Sequence, residues 1–445
     1  MKVTLINPYH SFVSSPHTRA RANVIAPPLG LATVAAVLEK QGVKVDIVDM
    51  AVSERKISDD EKLSLTGNDA VGISASLTTR FPQAIAISKA LKQTDKDMPV
   101  IFGGNHASFT YQEILRKYGS VDIIVLFEGE SSMLELTEAL SGRKKLDDVK
   151  GITYRNKDGE IMVTHPAEKV TDLDTLPMPA RHLLPMEHYA EKGCFAGTIV
   201  SSRGCPYRCV FCSTSAFWGH KVRLNSVERV LQEIEYLVEK HHLKEISFAD
   251  DIFTYSRSRI VKLCEMIEDK FDIQWACGTR VDCVDADLLG KMQKAGCSGI
   301  FFGVESASQN ILDKCKKHQT VEMCKRAIKL AKQVGMRVES SFILGLPGEN
   351  NETLKKDLDF ILETMPDRIL LNLLTPYPGT ILYERPHEFG IRILDDDWQY
   401  YTHAIPSVET GDLSWKDLLK ARASIEEEYS KAKGETPGES SADVG

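Results

Sequence analysis

The stretch Gly204-Cys-Pro-Tyr-Arg-Cys-Val-Phe-Cys212 places three cysteines at a CxxxCxxC spacing, just after the apolar run Thr198-Ile-Val200. The chain has ten cysteines in 445 residues, and chance would give this spacing in only roughly 0.5% of such chains. A 4Fe–4S cluster held by three cysteines leaves one iron without a protein ligand. That iron can take a substrate or cofactor, as an open zinc site does. The alternatives are three unrelated thiols or a zinc site that lacks its fourth ligand.

This loop resembles the cluster-binding loop of the radical S-adenosylmethionine (SAM) superfamily. In that family SAM binds the open iron, and the reduced cluster cleaves it to a 5′-deoxyadenosyl radical. The resemblance implies that Cys205, Cys209 and Cys212 hold the cluster and act as the catalytic residues. It also implies that Phe211, just before the third cysteine, packs near the adenine.

The composition is that of a globular protein of two or three domains, with 42% hydrophobic and 27% charged residues. The formal net charge is −8 and no basic stripe is present, which disfavours nucleic acid as a partner. No apolar run reaches 18 residues, so we expect no membrane span and no signal peptide. The scattered cysteines fit a reducing compartment, and the expected location is the cytoplasm.

Residues 1–145 alternate apolar strand patterns with amphipathic helical patterns, which predicts a parallel, Rossmann-like (flavodoxin-like) α/β sheet. The predicted strands are Val3–Asn7, Lys44–Asp49, Ala70–Ser74, Pro99–Gly103 and Ile123–Phe127. The predicted helices are Leu29–Gln41, Phe81–Gln93, Ser108–Tyr118 and Ser131–Ser141. In such sheets ligands bind at the carboxyl ends of the strands.

The turns after these strands resemble those of the cobalamin-binding domain that is fused to a large radical SAM subfamily. Glycines in such turns let the backbone approach a large flat corrin. The residues that the resemblance assigns to cobalamin are Pro28, Gly30, Ser74, Gly103, Gly104, His106, Glu128, Gly129 and Glu130.

One segment departs from the cobalamin domains that ligate cobalt with histidine. Those domains carry Asp-x-His-x-x-Gly after the first strand, whereas this chain has Asn7-Pro-Tyr-His-Ser-Phe-Val13. The resemblance therefore implies cobalamin bound without its own base and without a histidine ligand. His10, His17 and His106 remain as alternative cobalt ligands.

Residues 146–190 are predicted to form a hairpin and linker. Asn156-Lys-Asp-Gly159 lies between two strand patterns and reads as a hairpin turn. In Leu176-Pro-Met-Pro-Ala-Arg-His-Leu-Leu-Pro185 each proline biases its predecessor away from helix, which indicates an extended segment. Such segments often cross between two domains.

Residues 191–380 return to the strand–helix alternation, which predicts a partial (β/α)6 barrel of the TIM type as the radical SAM core. The predicted strands are Thr198–Ser201, Glu245–Phe248, Gln274–Gly278, Gly299–Val304, Arg337–Leu344 and Ile369–Leu374. The predicted helices are Val227–Lys240, Arg257–Phe271, Asp285–Ala295, Thr320–Val334 and Glu352–Thr364. A helical extension is expected over 381–433 and a disordered tail over 434–445.

Polar residues follow the second and third barrel strands, where the family contacts SAM. Asp250 or Asp251 is expected to accept a bond from the SAM amino group, and a helix cap or surface turn is the alternative. Arg280 is expected to grip the carboxylate of SAM or of the substrate, and a surface ion pair is its alternative.

The later strand ends complete the expected SAM site. The resemblance assigns Glu305 to the ribose or amino group, and Gly345 and Gly348 to the turn beside the adenine. A plain turn before a helix is the alternative for the two glycines. Tyr377, in Thr375-Pro-Tyr-Pro-Gly-Thr380, is expected to line the substrate pocket.

The resemblance covers about residues 1–400 and implies a cobalamin-dependent radical SAM enzyme. The reaction expected first is C-methylation of an unactivated carbon through methylcobalamin and the 5′-deoxyadenosyl radical. The alternatives are a non-methylating reaction, such as oxidative cyclisation, rearrangement or transfer of another SAM-derived group, and a sensor protein with a regulatory cluster. The expected partners are a small-molecule substrate and an electron donor such as flavodoxin or ferredoxin.

Overall fold

The computed structural model describes residues 1–9, 25–53, 67–192, 194–395 and 397–434. These fall into two compact units. The first contains residues 1–9, 25–53, 67–192 and 194, and the second contains 195–395 and 397–434. His10, His17 and the predicted tail beyond Gly434 lie outside the described residues.

The first unit is built on a sheet of seven strands in the order β2-β1-β3-β4-β5-β6-β7. The strands are β1 (Lys2–Asn7), β2 (Lys44–Asp49), β3 (Ala70–Ser74), β4 (Val100–Gly103), β5 (Ile123–Val125), β6 (Ile152–Arg155) and β7 (Ile161–Val163). The helices are α1 (Leu29–Lys40), α2 (Met50–Ser53), α3 (Phe81–Thr94), α4 (Asn105–Lys117), α5 (Glu130–Leu140) and α6 (Met186–Glu191). Strands β1 to β5 are parallel, and their order 2-1-3-4-5 is that of flavodoxin-like folds. The predicted fold class is confirmed.

The core of the first unit lies between this sheet and the helices that cover it. Val3 and Leu5 on β1 pack with Leu38 of α1 and Leu136 of α5, and all four are at most 2% exposed. Full burial of each such side chain stabilises the fold by about 1.5–3 kcal/mol. The continuous apolar strands are therefore what a sheet covered on both faces requires.

The predicted hairpin belongs to the first sheet. Strand β6 pairs antiparallel with β5, and β7 pairs antiparallel with β6. In the turn, Asn156 Oδ1 accepts from the amides of Asp158 and Glu160 at 3.0 and 2.8 Å. The extended segment that follows also contacts this unit, because Ala180 donates its amide to the Ala32 carbonyl at 2.9 Å.

The second unit contains a sheet of six parallel strands in the order β15-β14-β13-β12-β11-β8. This is the arrangement of a partial (β/α)6 barrel, so the predicted barrel is confirmed. Its strands are β8 (Thr198–Ile199), β9 (Ser202–Arg203), β10 (Arg223–Leu224), β11 (Glu245–Phe248), β12 (Gln274–Thr279), β13 (Cys297–Glu305), β14 (Arg337–Leu344), β15 (Arg368–Leu373), β16 (Ile391–Ile393) and β17 (Val408–Thr410). Its helices are α7 (Thr214–Trp218), α8 (Val227–His241), α9 (Arg257–Lys270), α10 (Ala286–Lys294), α11 (Gln309–Lys314), α12 (Val321–Gln333), α13 (Asn351–Thr364), α14 (Ile381–Glu384) and α15 (Trp415–Lys433).

Side-chain caps fix where the barrel helices begin. Ser226, Asp285 and Thr320 each accept a backbone N–H at the start of α8, α10 and α12. Asn350 and Thr353 form a reciprocal capping box on α13. Because such a cap stabilises a helix by about 1 kcal/mol, these residues help to set the lengths of the loops at the barrel mouth.

A segment of the C-terminal extension, residues 402–407, runs along the outer edge of β15. The Leu373 amide donates to the His403 carbonyl at 2.9 Å, and Thr375 Oγ1 donates to the Thr402 carbonyl at 3.2 Å. Ser407 Oγ donates to the Leu374 carbonyl at 3.2 Å. This edge segment therefore satisfies polar groups that the last strand would leave open.

Candidate functional site

The cluster loop, residues 204–212, leaves β9 and leads into α7. Gly204 has φ +102°, and a Cβ there would lie 2.6 Å from the Lys221 carbonyl oxygen, so only glycine fits. At the centre of the loop the Val210 amide donates to the Cys315 carbonyl at 3.1 Å, and the Leu382 amide donates to the Val210 carbonyl at 3.1 Å. Val210 is fully buried, and these contacts anchor the loop between α11 and α14.

Cys205, Cys209 and Cys212 are free and partly exposed on this loop. Burial, together with the neighbouring Cys212, Asp251 and Cys209 groups, raises the pKa of the Cys205 thiol to about 11. Metal binding requires thiolates and so displaces these protons.

The donor set is the one that a 4Fe–4S cluster with one open iron requires, because three free cysteines lie on a single loop. Within the described part of the chain, no three His, Cys, Asp or Glu side chains converge as ligands of one metal. A single zinc would draw its thiolates to about 2.3 Å from one point, whereas a four-iron cube holds each thiolate on a different iron.

Arg280 follows β12, and its side chain contacts Asp282 and Tyr207 of the same chain. Its Nε and one terminal nitrogen donate to the two Asp282 carboxylate oxygens, both at 2.9 Å. The guanidinium lies 3.5 Å from the centroid of the Tyr207 ring, which belongs to the cluster loop. The alternative for Arg280 is a surface ion pair, but the pair that forms is buried, with the Arg280 side chain 7% exposed. A contact of Arg280 with the carboxylate of SAM or substrate stays a prediction. Arg280 thus supports the loop that carries the three cysteines.

Glu305, at the end of β13, has φ +69° and is 7% exposed. Its carboxylate accepts from Lys317 Nζ at 2.9 Å and from Ser341 Oγ at 3.1 Å. The same Lys317 ammonium lies 5.9 Å from the centroid of the Phe211 ring. The structure therefore connects the carboxylate and the aromatic ring through a lysine that the sequence analysis did not single out.

Asp250 and Asp251 have different surroundings. Asp250 Oδ1 accepts from Ser201 Oγ at 3.0 Å and from Ser202 Oγ, and Oδ2 accepts from the Ser201 amide at 3.2 Å. Burial raises the Asp250 pKa to about 6. Asp251 is exposed and accepts from Thr214 Oγ1 at 3.1 Å. Asp250 therefore joins two strand ends, and Asp251 is the better placed of the two to meet a ligand.

Gly345 and Gly348, in the turn after β14, both require positive φ. Their φ values are +96° and +84°. A Cβ on Gly348 would lie 2.4 Å from Lys314 Nζ, and one on Gly345 would lie 3.2 Å from Leu418 Cδ1. Both glycines therefore lie in a turn that requires their backbone conformation, and their position beside an adenine stays a prediction.

Tyr377 is half-buried at the end of β15. Its hydroxyl donates to the Tyr401 carbonyl at 3.3 Å and lies 3.4 Å from His403 Nε2. Burial lowers the pKa of His403 while Glu305 raises it, with a net lowering. His403 reaches this place on the edge segment, and nothing in its local sequence pattern distinguishes it.

In the first unit, a buried polar network joins the carboxyl ends of β1 and β2. Asn7 Nδ2 donates to Asp49 Oδ1 at 2.8 Å, and Arg80 donates to Asn7 Oδ1 at 3.0 Å. The Tyr189 hydroxyl donates to Asp49 Oδ2. This network fixes the strand ends at the switch point between β1 and β3, where ligands of such sheets bind.

Of the residues assigned to cobalamin, Gly104 is the one whose backbone most requires glycine. It has φ +101°, and a Cβ there would lie 2.2 Å from Ser76 Oγ and 2.8 Å from Ser76 Cα. Ser74 Oγ lies 3.2 Å from Ser76 Oγ. His106 is 2% exposed, and its Nδ1 lies 3.2 Å from Thr78 Oγ1. Burial lowers the His106 pKa to about 3, so its surroundings favour a core role over cobalt ligation.

The other assigned residues differ in exposure. Pro28 precedes α1, and Gly30 is exposed with open space around it. A Cβ on Gly103 would meet only ordinary contacts, the nearest at 3.8 Å. The two acidic residues around Gly129 are buried, Glu128 to 7% and Glu130 to 6% exposure.

Two exposed apolar side chains follow strands β3 and β5 of the first sheet, and the sequence analysis did not single them out as ligand contacts. Leu77 follows β3 and is 52% exposed, and Phe127 follows β5 and is 39% exposed. Large apolar side chains at a ligand-binding edge suit the flat face of a corrin. Their signal in the sequence is weak, because a lone apolar residue after a strand resembles part of that strand.

Comparisons with known proteins find relatives of both units. The model of the radical SAM superfamily matches residues 199–361, and the model of the B12 binding domain matches residues 18–137. An uncharacterized methyltransferase of Pyrococcus horikoshii is 33% identical over 88% of this chain and 85% of its own length. An anaerobic magnesium-protoporphyrin IX monomethyl ester cyclase of Rubrivivax gelatinosus is 31% identical over 88% of this chain and 72% of its own.

A solved structure shares the whole fold. The radical SAM methyltransferase TsrM from Kitasatospora setae, with cobalamin and a [4Fe-4S] cluster bound, matches at a TM-score of 0.75 and 17% identity. The match covers 97% of this chain and 88% of that one. The chain belongs to the radical SAM superfamily, and within it to the enzymes that carry a B12-binding domain.

Membership of this family gives the cofactors, which are a 4Fe–4S cluster, SAM and cobalamin. Among the described residues, no helix is both long and apolar enough to span a membrane.

Proposed function

We propose that this protein is a cobalamin-dependent methyltransferase that adds a methyl group to an unactivated carbon of a small molecule. The observation that carries the proposal is that one chain holds both a three-cysteine loop at the mouth of a partial barrel and a parallel-sheet domain that matches the B12-binding model. The names of the Pyrococcus relative and of TsrM support methyl transfer.

Within this proposal, the barrel residues hold and shield the reacting groups. When bound, the cluster and SAM supply a carbon-centred radical, and cobalamin supplies the methyl group. Asp251 is placed to accept the SAM ammonium, since it is exposed beside the cluster loop. Glu305, held by Lys317, presents a fixed carboxylate to the ribose or amino group. Tyr377 and His403 offer two polar groups to an oxygen of the substrate.

The remaining partners follow from the same chemistry. Reduction of the cluster requires an electron donor such as a flavodoxin or ferredoxin, and we place its action at the partly exposed cysteine loop. A net charge of −8 supports a reaction on a small molecule rather than on nucleic acid. We expect the protein to work in the cytoplasm.

The first test is a Cys205→Ala variant. It should bind cobalamin as the wild type does but form no 5′-deoxyadenosine, because only the cluster loop has changed. Anaerobic product analysis with dithionite as reductant measures this difference. A Cys194→Ser variant is the matched control, since Cys194 is also free and partly exposed but lies outside the loop. Normal 5′-deoxyadenosine output from Cys205→Ala would refute the cluster assignment.

A non-methylating reaction is the second candidate, and the cyclase relative favours it. Isotope labelling separates the two. With methyl-labelled SAM, a methyltransferase passes the label to the product, whereas a cyclase or rearrangement leaves the product unlabelled.

A further inference from the structure

Two carboxyl groups are completely buried beside the expected SAM site. Glu349 ends the turn that follows β14, Asp357 lies in α13, and both are 0% exposed. Glu349 Oε2 accepts the Gly345 amide, which belongs to the same turn. Asp357 Oδ1 accepts the Ala307 amide at 2.5 Å and Ser306 Oγ at 3.2 Å. The pair therefore touches the two strand ends that carry the glycine turn and Glu305.

The other oxygen of each carboxyl group requires a donor. Glu349 Oε1 and Asp357 Oδ2 are buried and have no hydrogen-bond partner within the described part of the chain. The titratable group near Glu349 at the C-terminal end of α11 is the thiol of Cys315, the residue that follows this helix, which is buried and carries no positive charge. Lys314, on the same helix, lies over Gly348 at the exposed side of the turn.

We propose that Glu349 and Asp357 share one proton between these two oxygens and act as positioning residues for the SAM site. The shared proton joins the Gly345–Glu349 turn, through α13, to Ser306 and Ala307 at the end of β13. Two buried carboxyl groups whose charges repel one another do not both stay ionised, so one of them keeps a proton.

The electrostatic surroundings agree with this assignment. Burial and the neighbouring Asp357 raise the pKa of Glu349 well above its ordinary value. Burial raises the pKa of Asp357 to about 7. The proposal depends on SAM binding by this domain but not on the methyl-transfer proposal, because neither measurement below involves a methyl acceptor.

The first experiment follows unfolding by denaturant between pH 6 and 8. Since the raised pKa lets the folded state bind one more proton than the unfolded state, the contribution of this pair to wild-type stability is largest at the low end of this range and falls as pH rises. For one extra proton, the folding equilibrium constant falls by up to about tenfold per pH unit. In Glu349→Gln an amide N–H replaces the shared proton, so this fall should disappear. Asp359→Asn, an exposed change in the same helix, should keep it. Equal slopes in Glu349→Gln and wild type would overturn the shared proton.

The second experiment measures SAM binding by equilibrium dialysis of anaerobically reconstituted protein. Glu349→Ala should bind SAM at least about fivefold more weakly, because the turn loses its link to β13. Glu349→Gln should restore binding, and Asp359→Asn should match the wild type. A Glu349→Ala protein that is less stable but binds SAM normally would overturn the positioning role.

A further variant covers the case in which Glu349→Ala does not fold. Ser306→Ala removes one donor to Asp357 and leaves both carboxyl groups in place. It should also weaken SAM binding, and wild-type affinity in Ser306→Ala would argue against the link between the two strand ends.

Discussion

At the mouth of the barrel, two of the buried charges that the sequence singled out have a partner of opposite sign. Arg280 pairs with Asp282, and Glu305 pairs with Lys317. Burial of an unpaired charge costs several kcal/mol, so strand-end charges near a cofactor are held by fixed counter-ions. This arrangement keeps the Glu305 carboxylate and the Tyr207 ring in place before any ligand arrives.

Arg280→Lys is predicted to weaken the cluster loop. Lysine keeps the charge but loses both the two-pronged bond to Asp282 and the flat contact with the Tyr207 ring. We expect a loss of about 1–3 kcal/mol in unfolding free energy and less iron per chain after reconstitution. Denaturant unfolding and iron analysis measure these effects.

Arg257→Lys is the matched control for this change. Arg257 also contacts two carboxylates, Asp285 and Asp287, but on the exposed surface. Arg257→Lys should change the free energy of unfolding by less than about 0.5 kcal/mol. If both lysine variants behave alike, the buried position of Arg280 has no special role.

At the scale of elements, the backbone conformation decides which glycines cannot be replaced by a residue with a side chain. Gly103 is the last residue of β4 and Gly104 follows it directly, and the sequence pattern does not distinguish the two. Only Gly104 has positive φ and lies against the backbone of Ser76. The turn can therefore accept a side chain at one position but not at the next.

Gly104→Ala should lower the unfolding free energy by about 1–3 kcal/mol and reduce cobalamin binding, because the turn must move to admit a methyl group. Gly103→Ala should leave stability within about 1 kcal/mol, since its nearest contact would be at 3.8 Å. Thermal unfolding and absorbance of bound cobalamin give the comparison. Similar losses in both variants would contradict the steric explanation.

The elements themselves were largely predictable from local pattern. Apolar runs bounded by polar turns predict four strands whose first and last residues agree with the structure, namely β2, β3, β11 and β14. Strand β8 is shorter than predicted and ends at Ile199, because Ser201 turns towards Asp250. Helices α11 and α14, which hold the cluster loop, have six and four residues, too few to show a helical period.

The partners within the site were not predictable in the same way. Glu305 and Lys317 are 12 residues apart, and Tyr207 and Arg280 lie on separate strand-end loops. Their contacts depend on the order of strands in the barrel, which brings distant segments to one edge. Asp250 illustrates the limit, because its sequence position suggests a ligand contact while the fold turns its oxygens towards Ser201 and Ser202.

At the scale of the whole molecule, each unit has its own sheet, and we expect cobalamin to bind the first unit and the cluster and SAM to bind the second. Ligand binding should therefore stabilise the first unit without an intact cluster loop. At 100 times its dissociation constant, a ligand that binds only the folded state stabilises it by about 2.7 kcal/mol. Hydroxocobalamin should raise the first unit's unfolding temperature equally in wild type and Cys209→Ala. Calorimetry measures this shift, and its loss in Cys209→Ala would argue against independent binding.

The hairpin β6–β7 also has a consequence for how the first unit can be isolated. It covers the edge of β5, whose three residues Ile123-Ile-Val125 would otherwise present unpaired amides and carbonyls on an apolar strand. A fragment that stops at residue 145 would leave that edge free to recruit other chains and should aggregate, whereas one that continues to residue 194 should remain monodisperse.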